Sequence, residues 1–346
     1  MINSVWLTVN RFCNFRCQWC YAEGTCYSRS DDMPFAVAKK LVDFSKELGA
    51  ANILLIGGEP TYYPRFFELL KHIKASGFEC TLITNGYRFR DKSFVKKVQE
   101  AGLDSIGFSI KAVNRLQHRQ LTGVDAFDDI KMAIKNLSKI DNIKIGYSTV
   151  VSNDTVDNLE EFAELLAGLD DKKWLRYVFC GPVFDKKSDV DKHCVPMQKE
   201  IVEKVVAKFD EIDSILGGRV MIEQSYPMCV WPVGFIDKLK ERGQVDCGCH
   251  LQNRVGLVFD GKGRVLPCSL LTGFPIGQYG KDFSNKLDFE KFWMSENLQK
   301  LHNEIYAYPN LKCVSCPDYL ECGGGCPLKW LIYDTKEIPG FNRDVI

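Results

Sequence analysis

Six short apolar runs, set at regular intervals between amphipathic helical patterns, most constrain what this chain can fold into. They cover residues 5–9, 53–56, 81–84, 105–110, 143–151 and 174–180. Helical periodicity fills the gaps over 35–48, 66–76, 93–101, 127–137 and 156–166. Alternation of this kind implies parallel strands joined by right-handed crossovers. Six units predict an α/β fold, a partial (β/α)6 TIM-like barrel left open, with its ligands at the carboxyl ends of the strands. A further helical segment, 197–216, leads to Gly217-Gly218. Beyond it glycine, proline and cysteine rise and the strands shorten. The division expected is therefore a barrel over 1–225 and a cysteine-rich unit over 226–346.

The first run feeds Cys13-x3-Cys17-x2-Cys20. Three thiolates so close together can hold three corners of a [4Fe–4S] cube and leave one iron open to a small molecule. Cys26, beyond Gly24, is the local candidate for a fourth ligand. A zinc knuckle or buried thiols are the competing readings, because Cys-x2-Cys also suits zinc.

Charge and composition narrow the classes. Lys+Arg and Asp+Glu number 45 each, so the chain offers no net basic field for nucleic acid or an anionic membrane. No stretch nears the roughly 20 apolar residues of a membrane span. The start of the chain lacks the basic and hydrophobic regions of a secretory signal. A cytoplasmic location is expected, and there the 15 cysteines read as metal ligands rather than disulfides.

Three later segments also fall at the ends of strand-like runs. They are Gly57-Gly58-Glu59-Pro60, Asn85-Gly86 after 81–84, and Ser109 with Lys111 at the end of 105–110. With the cysteine triplet ahead of them, these resemble the radical S-adenosylmethionine (radical SAM) family. The resemblance implies that Cys13, Cys17 and Cys20 hold a [4Fe–4S] cluster whose open iron binds SAM, which is cleaved to a 5′-deoxyadenosyl radical. It also implies that Gly57, Gly58, Glu59 and Pro60 approach the amino group of SAM, that Asn85 belongs to the SAM site, and that Ser109 and Lys111 fall where side chains contact its ribose and carboxylate. Glycine would let the backbone approach the ligand closely, and Glu59 suits an ammonium.

Toward the carboxyl end stand Cys247, Cys249, Gly263-x4-Cys268 and Cys313-x2-Cys316-x5-Cys322-x3-Cys326. These resemble the SPASM extension of radical SAM enzymes, which implies one or two auxiliary [4Fe–4S] clusters. By position the first would take Cys249, Cys268 and Cys326, with Cys247 or Cys229 as the fourth ligand. The second would take Cys313, Cys316 and Cys322. The family's final cysteine is not matched, and Asp344 falls near its place. An aspartate ligand, an open iron, a ligand from substrate and the lack of a second cluster all remain open.

Cys80 reads as a small core hydrophobe. Cys180, ending the sixth run, is either core packing or a thiol facing the cavity, where it can donate a hydrogen atom to a substrate radical. The five histidines have no metal-ligand spacing.

SPASM enzymes act mostly on peptides. The resemblance therefore implies an oxidoreductase that oxidatively cross-links side chains of a ribosomally made precursor peptide. Such an enzyme is served by an external electron donor such as flavodoxin or ferredoxin. The barrel is expected to start near Val5 with no leader-recognition domain ahead of it, so either a separate protein supplies one, the leader binds elsewhere, or the substrate is small. A radical dehydrogenase or epimerase of a small metabolite such as a sugar is the alternative. Formylglycine-generating sulfatase maturases place an aspartate where this chain has Ser269, which counts against that activity. A non-enzymatic Fe–S protein would have no use for a SAM pocket.

Overall fold

The fold is seen in a computed structural model that describes residues 2–20, 31–182, 198–246, 249, 253–306, 309 and 311–331. Its described strands form one sheet. β1 (Ser4–Thr8), β2 (Asn52–Ile56), β3 (Glu79–Thr84), β4 (Ser105–Ile110), β5 (Lys144–Val151), β6 (Leu175–Phe179), β7 (Val220–Glu223) and β8 (Val245–Asp246) lie parallel in chain order. β9 (Gly256–Phe259) returns to pair parallel with β1, and β10 (Arg264–Leu266) and β11 (Gly277–Gln278) follow it antiparallel.

The six expected strands are all present. The sheet then runs on past them at both ends. β9 covers the edge of β1, whose backbone groups would otherwise lack a ladder. At that edge Ile56, Val258 and Leu266 form a small apolar cluster with Trp6, separate from the main core.

The crossovers are α1 (Phe35–Glu47), α2 (Phe66–Ala75), α3 (Lys92–Glu100), α4 (Arg115–Thr122), α5 (Phe127–Leu137), α6 (Leu159–Ala167) and α7 (Gln198–Leu216). All were expected within a few residues except α4. Residues 156–158, expected to open α6, form a 3-10 turn instead. α4 is capped at both ends: Asn114 Oδ1 accepts the Gln117 N–H at 2.9 Å, and Gly123 ends it at φ 70°. A left-handed residue there favours glycine.

Burial alternates along β4. Ile106, Phe108 and Ile110 are buried, while Ser105, Gly107 and Ser109 are partly open. Register extends the pattern, with Ile106 opposite Ile145 and Phe108 opposite Tyr147 on the buried face. That face packs under the helices, where Leu41, Phe44, Leu70 and Ile134 are also buried, each side chain contributing about 1.5–3 kcal/mol. The other face is the inner one. It carries Ser109, Ser148 and Arg176 at successive registers. Such two-sidedness is what leaves room for a ligand inside the barrel. Among the described residues no helix is long and apolar enough to cross a membrane.

Candidate active site

The loop Cys13–Cys20 leaves β1 and is held by α4, the helix that the sequence concealed. Arg16 N–H donates to Thr122 O at 2.8 Å and Gln18 N–H to Leu121 O at 3.0 Å. These carbonyls end α4 without helical partners, so the loop satisfies them. His118, fully buried in α4, approaches Val124 O through Nδ1 at 2.7 Å and sets its ring edge-on to Phe15. Burial lowers its pKa.

Cys13 is buried and its thiol is pushed up to about 12, by burial first, then by the charge of Glu59, with Cys17 and Cys20 adding smaller effects. Phe15 N–H lies 3.4 Å and Asn85 Nδ2 3.7 Å from Cys13 Sγ. These donors would stabilise a thiolate, and three soft sulfur ligands suit iron. The loop thus fits the cluster that its spacing implies.

Glu59 is 1% exposed. Its Oε1 accepts from Thr61 N, Thr61 Oγ1 and Thr84 Oγ1, and its Oε2 from Asn85 N at 2.7 Å. Burial raises its pKa while these bonds oppose the shift. Only Oε2 keeps acceptor capacity, so Glu59 is first of all a tie between strand ends.

The glycines also allow a close approach within the chain itself. A Cβ on Gly58 would lie 2.4 Å from Phe12 O and 2.5 Å from Arg11 O, and one on Gly57 would lie 2.3 Å from Asn10 Oδ1. The close approach is to the chain's own backbone just ahead of Cys13. Gly58 N–H and Glu59 N–H donate to Asn10 O and Phe12 O there. Pro60 is buried and starts a short 3-10 turn. Asn85 also bonds Asn14 Oδ1 at 2.8 Å, and Lys111 Nζ donates to Ser109 Oγ at 2.7 Å.

Two further groups of cysteines gather beyond the barrel. Cys268, pushed up to about 12 chiefly by burial, also feels Cys326 and Cys249. Cys229 is pushed up to about 11 by burial and then by Cys322, Cys313 and Cys316. Cys229 therefore sits with the second set and not the first. Among the described residues no three His, Cys, Asp or Glu side chains are drawn to metal-holding distance, so these thiols are apposed rather than closed into a cage. Cys247, Asp344 and Cys26 lie outside the described residues.

Cys180 is buried, its N–H bonded to Val151 O at 2.9 Å as a continuation of β6. Strand alternation puts it on the face of Arg176. Lys329, which the sequence reading passed over, is buried beside it. Its ammonium stands 3.9 Å from the Tyr226 ring centroid, and among the described residues no hydrogen-bond acceptor reaches its Nζ. Burial lowers it to about 8 against the raising charges of Cys326, Glu223 and Cys180.

Residues 7–166 match the Radical SAM superfamily. The chain carries a radical SAM domain. Such a domain makes it an enzyme that takes a [4Fe–4S] cluster and SAM. A relative in sequence is a probable GTP 3′,8-cyclase of Saccharolobus islandicus (strain M.14.25 / Kamchatka #1), 28% identical over 261 residues, covering 74% of this chain and 80% of the relative. Among solved structures, Streptococcus suis SuiB bound to precursor peptide SuiA aligns with TM-score 0.71 at 16% identity, over 100% of this chain and 75% of that one. Native anSMEcpe with bound AdoMet aligns with TM-score 0.67 at 19% identity, over 93% and 89%. The last two likenesses show that the fold is shared along nearly the whole chain.

Proposed function

We propose that this radical SAM enzyme oxidatively modifies, by cross-linking, side chains of a ribosomally made precursor peptide. The observation that carries the reading is the gathering of two cysteine groups beyond the barrel, Cys249/Cys268/Cys326 and Cys229/Cys313/Cys316/Cys322. Sites for further clusters suit a net two-electron oxidation, in which the substrate must give up an electron as well as a hydrogen atom. The full-length likeness to a fold solved with a precursor peptide supports the substrate class.

When bound, the first cluster and SAM supply hydrogen-atom abstraction from unactivated C–H bonds. The chain's own residues hold and orient. Cys13, Cys17 and Cys20 would hold the first cluster, and Glu59 and Asn85 fix the loop that presents them. Gly57, Gly58, Pro60, Ser109 and Lys111 shape the SAM site at the strand ends, and the inner face positions the substrate C–H and excludes water. Cys249, Cys268 and Cys326 would hold one auxiliary cluster, and the quartet another. An external flavodoxin or ferredoxin would deliver electrons.

A second reading, radical chemistry on a small metabolite, is favoured by the cyclase name of the sequence relative. In an epimerase version Cys180 would return the hydrogen atom. The two are separated by anaerobic turnover of the cluster-reconstituted protein with SAM and dithionite, against short peptides encoded beside the gene and against GTP. A peptide lighter by two hydrogens, localised to a pair of side chains, supports the cross-linking reading. An unmodified peptide with conversion of GTP replaces it with the second.

A further inference from the structure

We infer that Cys229 is the fourth thiolate of an iron–sulfur site whose other ligands are Cys313, Cys316 and Cys322. The inference rests on the reading above that the carboxyl-terminal cysteines hold auxiliary clusters.

Cys229 is far from the other three in sequence, and the fold brings them together. It stands on the 3-10 turn Met228–Val230. The Met228 N–H donates to Cys322 Sγ at 3.3 Å, so the residue next to Cys229 is already bonded to a candidate ligand sulfur. Cys326 N–H donates to Ser225 O at 3.0 Å. Gly325, at φ 75°, packs so tightly there that a Cβ would meet Ser225 O and Pro227 N at 2.9 Å. The turn itself is anchored by Trp231, buried and stacked on Phe235 at 5.6 Å. Cys313 and Cys316 are tied by a Cys316 N–H to Cys313 O bond of 3.0 Å. Charge on Cys322, Cys313 and Cys316 is felt at Cys229, whereas the thiols felt at Cys268 are Cys326 and Cys249.

Four thiolates satisfy the four irons of a cube, and no carboxylate is needed. Asp344 is then not a ligand. Cys229 is exposed, so its replacement leaves the packed core intact.

The test is iron and sulfide content with Mössbauer and EPR spectra, on the full chain reconstituted anaerobically, with far-UV circular dichroism to confirm folding. The Cys313→Ala/Cys316→Ala double variant should lose about four irons per chain relative to wild type. Cys229→Ala should lose the same iron, or retain a cluster of altered EPR signature with one iron missing. Asp344→Ala should match wild type. Unchanged iron and spectra in Cys229→Ala, alongside a depleted double variant, would overturn the assignment. So would a perturbed Asp344→Ala. A double variant that keeps all its iron would instead remove the second auxiliary cluster, and the assignment with it.

Discussion

The Glu59 carboxylate accepts the backbone N–H of Asn85 at 2.7 Å, closing the carboxyl ends of β2 and β3 beside the cysteine loop. Thr61 and Thr84 fill the other oxygen. In Glu59→Gln an amide nitrogen replaces one acceptor and faces donors. Leaving one of these buried groups unpaired costs about 1–3 kcal/mol. We expect a lower urea midpoint with an unchanged m-value, and less iron retained by the Cys13 loop after desalting. A midpoint equal to wild type would mean that the carboxylate is spent on ligand rather than on the strand ends.

Gly58→Ala should be worse for the loop than for the barrel. The added methyl meets carbonyls of Phe12 and Arg11, which are backbone and cannot swing away. Overpacking of this kind costs about 1–3 kcal/mol. It falls on the turn that delivers Cys13. The expected result is a folded protein by circular dichroism that binds little iron and releases little 5′-deoxyadenosine. Wild-type iron content in this variant would contradict the tight approach.

Acid should loosen the same loop through His118. Its folded pKa is depressed by burial, with an ordinary value of 6.5. The neutral ring is therefore favoured by folding. Its contribution to stability is complete above the unfolded value and is lost as pH falls through the folded one. Wild type should lose stability on acidification below about 6.5, by more than a His118→Gln variant loses. Urea titrations at several pH values check this. Parallel pH profiles for the two proteins would show that the ring is not the titrating group.

The six barrel strands were legible because each is a short apolar run followed by a helical period. α4 was not. Its sequence buries only His118, Leu121 and Thr122, too few apolar residues for periodicity to register, and its signals are the caps Asn114 and Gly123. β9 was hidden for another reason: a four-residue run pairing with β1 across some 250 residues is specified by nothing local. The cysteine triplet and the quartet were plain from spacing. The partition that puts Cys229 with Cys322 depends on residues 225–230 packing against 322–326, a tertiary contact that spacing cannot express. The close approach of Gly57 and Gly58 to Asn10–Phe12 is likewise a tertiary contact that no local spacing expresses.

Lys329 offers an electrical test of the auxiliary region. Its ammonium is buried over Tyr226 at 3.9 Å and Phe179 at 5.3 Å, and charge on Cys326 favours its protonated form. A cation buried there favours the more negative, reduced state of whatever cluster Cys326 ligates. Lys329→Met keeps the length and apolar body of the side chain and removes the charge. The midpoint potential of one auxiliary cluster should move to more negative values, on the order of 100 mV at an effective dielectric near 20. The potential of the Cys13-loop cluster should stay where it was. EPR-monitored redox titration resolves the two. A shift common to every cluster would reflect a general loss of packing, and no shift would make Lys329 a structural cation held by its aromatic neighbours alone.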